Sequence, residues 1–248
     1  MIFSDLHAHT NFCDGKNSPE EMVRSAIEKG LKRIGLVVHS YTDFDKTYCV
    51  TIDGEKAFKK EMARLKTEYK DKIEVLCGVE QDVFSTQPTD GYDYVIGSVH
   101  YFKVKGNYYD VDRSEEYFLN TVNTVFNGDF YKAVENYYQA VTELKVKKPN
   151  IIGHLDLITK FNQGDKYFST NDQRYIKASR AAVDELIGLS VPFELNVGAI
   201  SRGYRQEPYP SKDLIDYIKS KGGKLIISSD SHSIDNLGYK FSEWQKLL

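Results

Sequence analysis

The 248-residue chain carries 33 Lys and Arg against 36 Asp and Glu, a formal charge of −3, with 41% hydrophobic and 13% aromatic residues. That composition is globular and excludes intrinsic disorder, and the length fits one large α/β domain, with two small domains as the alternative. Without an overall cationic field, neither nucleic acid nor an anionic membrane is expected as the main partner.

Short β-rich runs alternate with amphipathic stretches along nearly the whole chain. The first run, residues 1–9, is followed by Ser18-Pro19-Glu20-Glu21, which supplies an N-cap serine, a proline at the first helical position and a glutamate three residues past the cap, with Gly30 as the stop. Strands are then expected at 33–40 and 73–82 around a helix at 54–71, and at 92–101 before helices at 114–128 and 129–146. A strand at 150–157, a helix at 170–190, a strand at 192–199, a helix at 211–222 and a last strand at 224–232 complete the series. Most of the strands are continuous in Ile, Val or Leu, as expected for a parallel sheet covered on both faces. The pattern predicts one barrel-like domain over residues 1–248 with an α-rich insertion at about 102–148. A doubly wound open sheet is the competing topology.

Cys13, Cys49 and Cys77 are odd in number and form no CxxC, so neither a disulfide framework nor a thiolate zinc site is indicated. Free thiols suit a reducing cytoplasm. The opening MIFSDLHAHT lacks the basic-then-apolar order of a signal peptide, and no apolar stretch approaches the ~20 residues of a membrane span. A soluble, cytoplasmic chain is the expectation.

The six histidines, His7, His9, His39, His100, His154 and His232, all fall at or near the C-terminal end of an expected strand, and Asp14, Glu80 and Asp230 share that address. In a parallel barrel those ends converge on one face. His7 and His9 stand two apart, so they point to the same side of their strand, and Asp230 and His232 repeat the spacing. Each residue also has an ordinary reading. A lone His100 or His154 is more often a satisfied core histidine, Asp14 before Gly15 suits a turn, and Asp230 suits a strand-end cap. Glu80 resists that treatment, because a carboxylate after the apolar run VLCGV costs several kcal/mol unless something compensates it. The long helical stretches hold no histidine, which favours a gathered set. Nine nitrogen and oxygen donors are too many for one ion and suit two or three of Zn, Mn or Fe, with Zn first.

DLHAHT with CDG, then His39, GVEQD, SVH, IGHLD and SSDSH, in this order, resemble the polymerase and histidinol phosphatase (PHP) superfamily over residues 1 to about 232. The resemblance implies a distorted (β/α)7 TIM-like barrel with a trinuclear metal centre at the C-terminal ends of the strands. By that analogy His7, His9, Glu80 and Asp230 hold one ion, Glu80 bridges to a second on His100 and His154, and Asp14, His39 and His232 hold the third, with Asp230 adding to a bridge. The chain departs from the family in reading VVHS where members commonly have TDH, and in carrying Asp14 where some have histidine. Within the superfamily it looks most like the histidinol-phosphate phosphatases of histidine biosynthesis. That likeness implies hydrolysis of L-histidinol phosphate to L-histidinol and phosphate by a hydroxide bridging the metals, with Glu80 and Asp230 central to catalysis.

Phosphate-ester chemistry asks for further groups. Arg202, in NVGAISRGY just past the sixth strand, offers a guanidinium fork for the phosphoryl group, against the reading of a solvated loop arginine. Lys160 is a weaker phosphate candidate, and Asp112 is expected to meet the substrate amine or else to cap a helix. Tyr101, Phe102, Tyr108 and Tyr109 line the pocket or pack the core. The alternatives are a phosphoesterase for another small phosphometabolite or nucleotide, and a catalytically silent barrel used for binding, which would have no use for so costly a polar cluster.

Overall fold

In the computed structural model, which describes residues 4–248, the apolar runs are strands and the amphipathic stretches are the helices that cover them. Positions 1–3 of the expected first strand lie outside the described residues. The strands are β1 (Ser4–His9), β2 (Arg33–His39), β3 (Glu74–Asp82), β4 (Tyr94–Ser98), β5 (Tyr101–Val104), β6 (Asn107–Asp110), β7 (Ile151–Ile152), β8 (Phe193–Asn196) and β9 (Leu225–Ser228). Seven of them form one sheet in the order β1-β2-β3-β4-β7-β8-β9, and every neighbouring pair is parallel. Past the end of β9 a parallel bridge joins Ala8 to Ser231, with the His9 N–H donating to the Ser231 carbonyl at 2.7 Å. The sheet thus curls into a nearly closed barrel, and the open-sheet alternative falls.

The helices are α1 (Pro19–Glu28), α2 (Ile52–Glu68), α3 (Glu115–Val125), α4 (Phe130–Lys147), α5 (Gln173–Leu186), α6 (Gly198–Ser201), α7 (Lys212–Ser220) and α8 (Phe241–Trp244). The capping box expected at the start of α1 is formed: the Glu21 N–H donates to Ser18 Oγ at 3.3 Å, and Ser18 N donates back to Glu21 Oε2 at 2.8 Å. Met22, Leu36, Phe58, Met62 and Leu65 fill one apolar layer, and Phe118, Tyr137, Tyr138, Leu186 and Phe193 belong to another. No described helix is long and apolar enough to cross a membrane.

Four expected strands are shorter than the sequence pattern suggested, each for a local reason. The 92–101 run breaks after Ser98, and His100 is held by Asp82 on the neighbouring strand. Only Ile151–Ile152 of the 150–157 run pairs, because the chain then turns into a short 3-10 helix at Leu157–Thr159. The 192–199 run stops at Asn196, whose Oδ1 accepts the Gly198 N–H at 2.8 Å and starts α6. The last strand stops at Ser228, and Asp230 beyond it takes a left-handed φ of 48°. The loop expected after His100 opens instead as an antiparallel hairpin of β5 and β6. Its two-residue turn puts Lys105 and Gly106 both at positive φ, 50° and 82°, the twist that matches a hairpin.

Candidate metal centre

The parallel register places the donors side by side. His39 on β2 pairs with Glu80 on β3, and His7 and His9 share one face of β1. His100 and His154 follow the ends of β4 and β7, Asp230 and His232 follow β9, and Asp14 sits in the loop after β1. All nine meet at the C-terminal rim. Glu80, 1% exposed, is the centre: its Oε2 lies 3.2 Å from His7 Nε2, 3.4 Å from His9 Nε2 and 3.0 Å from His39 Nδ1, and its Oε1 lies 3.3 Å from His100 Nε2 and 2.8 Å from His154 Nε2. Asp230 Oδ1 lies 3.7 Å from His7 Nε2 and 3.5 Å from His9 Nε2. At the outer edge Asp14 faces His232 Nε2 at 3.0 Å and His39 Nε2 at 3.6 Å.

Among the described residues, three groups have donor atoms that all lie within 4.8 Å of one another: His7, His9 and Asp230; His39, Glu80 and His100; and His9, Asp14, His39 and His232. His9 and His39 each belong to two groups, so the sets interlock. His154 reaches the cluster through Glu80.

The donor set fits divalent cations on physical grounds. Glu80 Oε2 is buried without a hydrogen-bond partner, and His7 Nε2 and His9 Nε2 face each other at 3.1 Å, where two lone pairs repel unless a proton or a cation lies between. The charge balance points the same way. Burial would raise the Glu80 carboxyl, but His7, His39 and His100 hold it well below the usual carboxylate range. Burial likewise opposes ionisation of Asp230, and Arg202 ahead of His7 drives it far down. In return His39, despite burial, is raised to about 9 by Asp14 and Glu80, while burial and the neighbouring His39 and His232 lower His9. So dense a set of anions requires positive charge among the imidazoles, and divalent ions supply it without protonating the ligands.

Several carboxylates outside the predicted set hold the rim. Glu194 on β8 lies 2.6 Å from His7 Nδ1 and is kept ionised against its burial by His7. Asp82 on β3 accepts from the His100 backbone at 2.9 Å and lies 3.2 Å from His100 Nδ1. Asp5, fully buried on β1, accepts the Ser229 and Gly238 N–H groups, both at 3.1 Å. The sequence reading missed all three, although Glu194 in FELN carries the same signal as Glu80, an acid inside an apolar strand.

A cavity of about 350 Å³ opens on the rim, lined by seven of the nine donors together with Arg202, Lys160, Asp112 and Asp110. His7 and His9 are fully buried and do not line it. Arg202 donates from Nη2 to Asp230 Oδ2 at 3.0 Å and from Nη1 to the Asp230 carbonyl at 2.9 Å, with His232 Nδ1 3.1 Å from Nη1. The solvated-arginine reading therefore fails. A Cβ on Gly198 would stand 2.9 Å from the Asp230 side chain and 3.0 Å from Arg202 Nη2, so only glycine lets α6 approach this pair. Lys160 Nζ donates to Asp112 Oδ2 at 2.9 Å and to its carbonyl at 2.8 Å, so the carboxylate expected to meet an amine already has a cation. Of the four candidate aromatics only Tyr101 lines the cavity. Phe102 is buried against Phe126, Tyr108 stacks on Phe44 at 3.9 Å, and Tyr109 packs on the apolar core.

A seven-stranded parallel barrel with a histidine and carboxylate cluster at its C-terminal rim defines a class, and the PHP domain model matches residues 5–197: the chain belongs to the PHP domain family. It is 26% identical over 261 residues to the histidinol-phosphatase of Bacillus subtilis, covering 96% of each chain. A solved chain from Listeria monocytogenes shares the fold at a TM-score of 0.83 and 23% identity, covering 97% of this chain and 99% of that one. The histidinol phosphate phosphatase of Lactococcus lactis, solved with zinc, L-histidinol and phosphate, shares it at 0.70 and 21% identity, covering 98% of this chain and 91% of that one.

Proposed function

We propose that this chain is a metal-dependent phosphomonoesterase that hydrolyses L-histidinol phosphate to L-histidinol and phosphate, a step of histidine biosynthesis. The observation that carries the reading is the convergence of nine nitrogen and oxygen donors around Glu80 beside a cavity that also presents Arg202 and Lys160. The histidinol-phosphatases among its full-length relatives support the choice of substrate. The working unit is one PHP-type barrel domain over residues 1–248, with residues 102–148 as an α-rich insertion.

Two or three divalent ions, zinc first and manganese or iron as alternatives, would be held by His7, His9, Glu80 and Asp230, by Glu80, His100 and His154, and by Asp14, His39 and His232. When bound, such ions supply Lewis acidity toward phosphoryl oxygens and bring the pKa of water to about 7. The chain's own residues do the rest. Arg202 has five N–H donors and spends two on Asp230, which leaves others for the equatorial oxygens of a phosphoryl group. Its contact with Asp230 fixes the guanidinium beforehand, so little rotamer entropy is lost when the ester binds. Lys160, over the rings of Phe161 and Tyr204, adds a second cation to the cavity lining. A phosphate-release screen across phosphometabolites, including histidinol phosphate and a dinucleotide, tests the reading. Histidinol phosphate should lead, activity should vanish on chelation and return with zinc or manganese, and a clear preference for the dinucleotide would overturn the substrate assignment.

A further inference from the structure

We infer that Glu194 is a positioning residue that fixes the proton of His7 on Nδ1 and anchors the His154 backbone, and thereby sets the cation affinity of the inner part of the cluster. The inference rests on the metal-site reading above.

Glu194 is 1% exposed, on the central stretch of β8. Its Oε1 faces His7 Nδ1 at 2.6 Å and accepts from Ser228 Oγ; its Oε2 accepts from the His154 backbone N–H at 2.8 Å and from Asn196 Nδ2 at 3.0 Å. The backbone amide and the side-chain amide can only donate, and both fall on one oxygen. The Ser228 hydroxyl and the imidazole share the other. Oε2 is taken by two groups that can only donate, Oε1 accepts from the Ser228 hydroxyl, and despite burial His7 keeps the carboxyl ionised, so Glu194 has no proton to give and the proton between it and His7 belongs to Nδ1. With a cation bound in place of a second proton, Nε2 of His7 would direct its lone pair into the space that His9 Nε2, Glu80 Oε2 and Asp230 Oδ1 surround at 3.1, 3.2 and 3.7 Å. The opposite tautomer would place a hydrogen where a cation must bind.

The same carboxylate compensates for a thin part of the sheet. β7 pairs with β8 only at Ile152 and Phe193, two residues before His154, so the ladder does little to place that histidine. Through Glu194 the positions of His7 on β1, His154 after β7 and Ser228 on β9 become one rigid set. Asp14, His39 and His232 lie outside it, since none of them touches Glu194.

Gln at 194 keeps the shape but must turn its NH₂ toward donors on one side. In metal-buffered titrations of the full chain, Glu194→Gln should lose about 10–100-fold in zinc affinity for the inner ions, as expected for loss of a histidine's carboxylate partner. The ion expected at Asp14, His39 and His232 should keep wild-type affinity, and kcat should fall with little change in KM. A purely architectural role predicts a lower Tm with every zinc affinity unchanged in the folded fraction, and that result would overturn the inference. A measurement on the wild-type chain covers the case in which the variant fails to fold: ¹⁵N histidine spectra of the zinc-loaded protein, with His7 assigned by its absence in His7→Gln, should show an Nδ1–H tautomer. An Nε2–H signal for His7 overturns the inference while leaving the metal site standing, whereas a wild-type chain that binds no zinc overturns both.

Discussion

The two halves of the barrel hold the same rim by different means. From β1 to β3 the strands run six, seven and nine residues, and β2 and β3 share seven register pairs. His9, His39 and Glu80 sit inside that ladder, with Met22, Phe58, Met62 and Leu65 packed behind it, while His7 falls where the β1–β2 register slips. From β7 to β9 the strands run two, four and four residues, and His154, Asp230 and His232 all lie beyond their ends. There buried carboxylates replace the ladder: Glu194 takes the His154 amide, Asp5 the Ser229 amide, and Asp156 the Ser211 amide at 2.8 Å. The first half positions most of its donors by backbone pairing and apolar packing, His7 excepted, and the second by hydrogen bonds to buried carboxyls.

This contrast can be broken or sharpened. The largest expected effect is on turnover where the halves meet. Glu80→Gln keeps the shape but removes the charge shared by five imidazoles, and activity on the phosphate ester should fall at least about 10³-fold, the loss of roughly 4 kcal/mol of metal-derived transition-state stabilisation. Circular dichroism should stay that of the wild type, and retained turnover would remove Glu80 from the chemistry.

Phe58→Ala probes the packed half alone. Phe58 is fully buried behind β1–β3, and its truncation should cost about 3–5 kcal/mol in denaturant unfolding. Because it belongs to the apolar layer and does not line the cavity, kcat/KM per folded molecule should be unchanged; a matching drop in both would mean that packing and site are not separable.

The smallest effect concerns the cavity mouth. Asp110 is raised to about 6 by burial and then by Asp112. A carboxyl whose folded pKa lies above its unfolded value near 4 favours folding when protonated, so its contribution is whole below about 4 and lost as the pH rises through 6. Asp110→Asn, neutral throughout, should match the wild type in Tm at pH 4 and exceed it by about 2–4 °C at pH 7, a gain of about 1 kcal/mol. Equal Tm values at pH 7 would show that Arg113, 3.4 Å from Asp110 Oδ2, already neutralises it.

Sequence alone determined the alternation and the address of each donor, while the bridge from Ala8 to Ser231 decided between a barrel and an open sheet. The alternation and the addresses follow from local rules: a capping box needs only Ser18 and Glu21, period-two geometry puts His7 and His9 on one face, and apolar runs must be covered. The long strands were also legible, since β2 and β3 fall within a residue of the expected 33–40 and 73–82. What the tertiary structure decided is where the short strands stop and which acids face the donors. Glu194, Asp82 and Asp5 act across 187, 18 and 224 residues of sequence on His7, His100 and Ser229, a separation that no local pattern encodes. Asp112 was read as free to meet an amine because its partner Lys160 stands 48 residues away. Burial sets the reason for the divide: a charge in the low-dielectric interior is tolerable only beside its partner, and the partner is chosen by the closed barrel, not by the neighbouring residues.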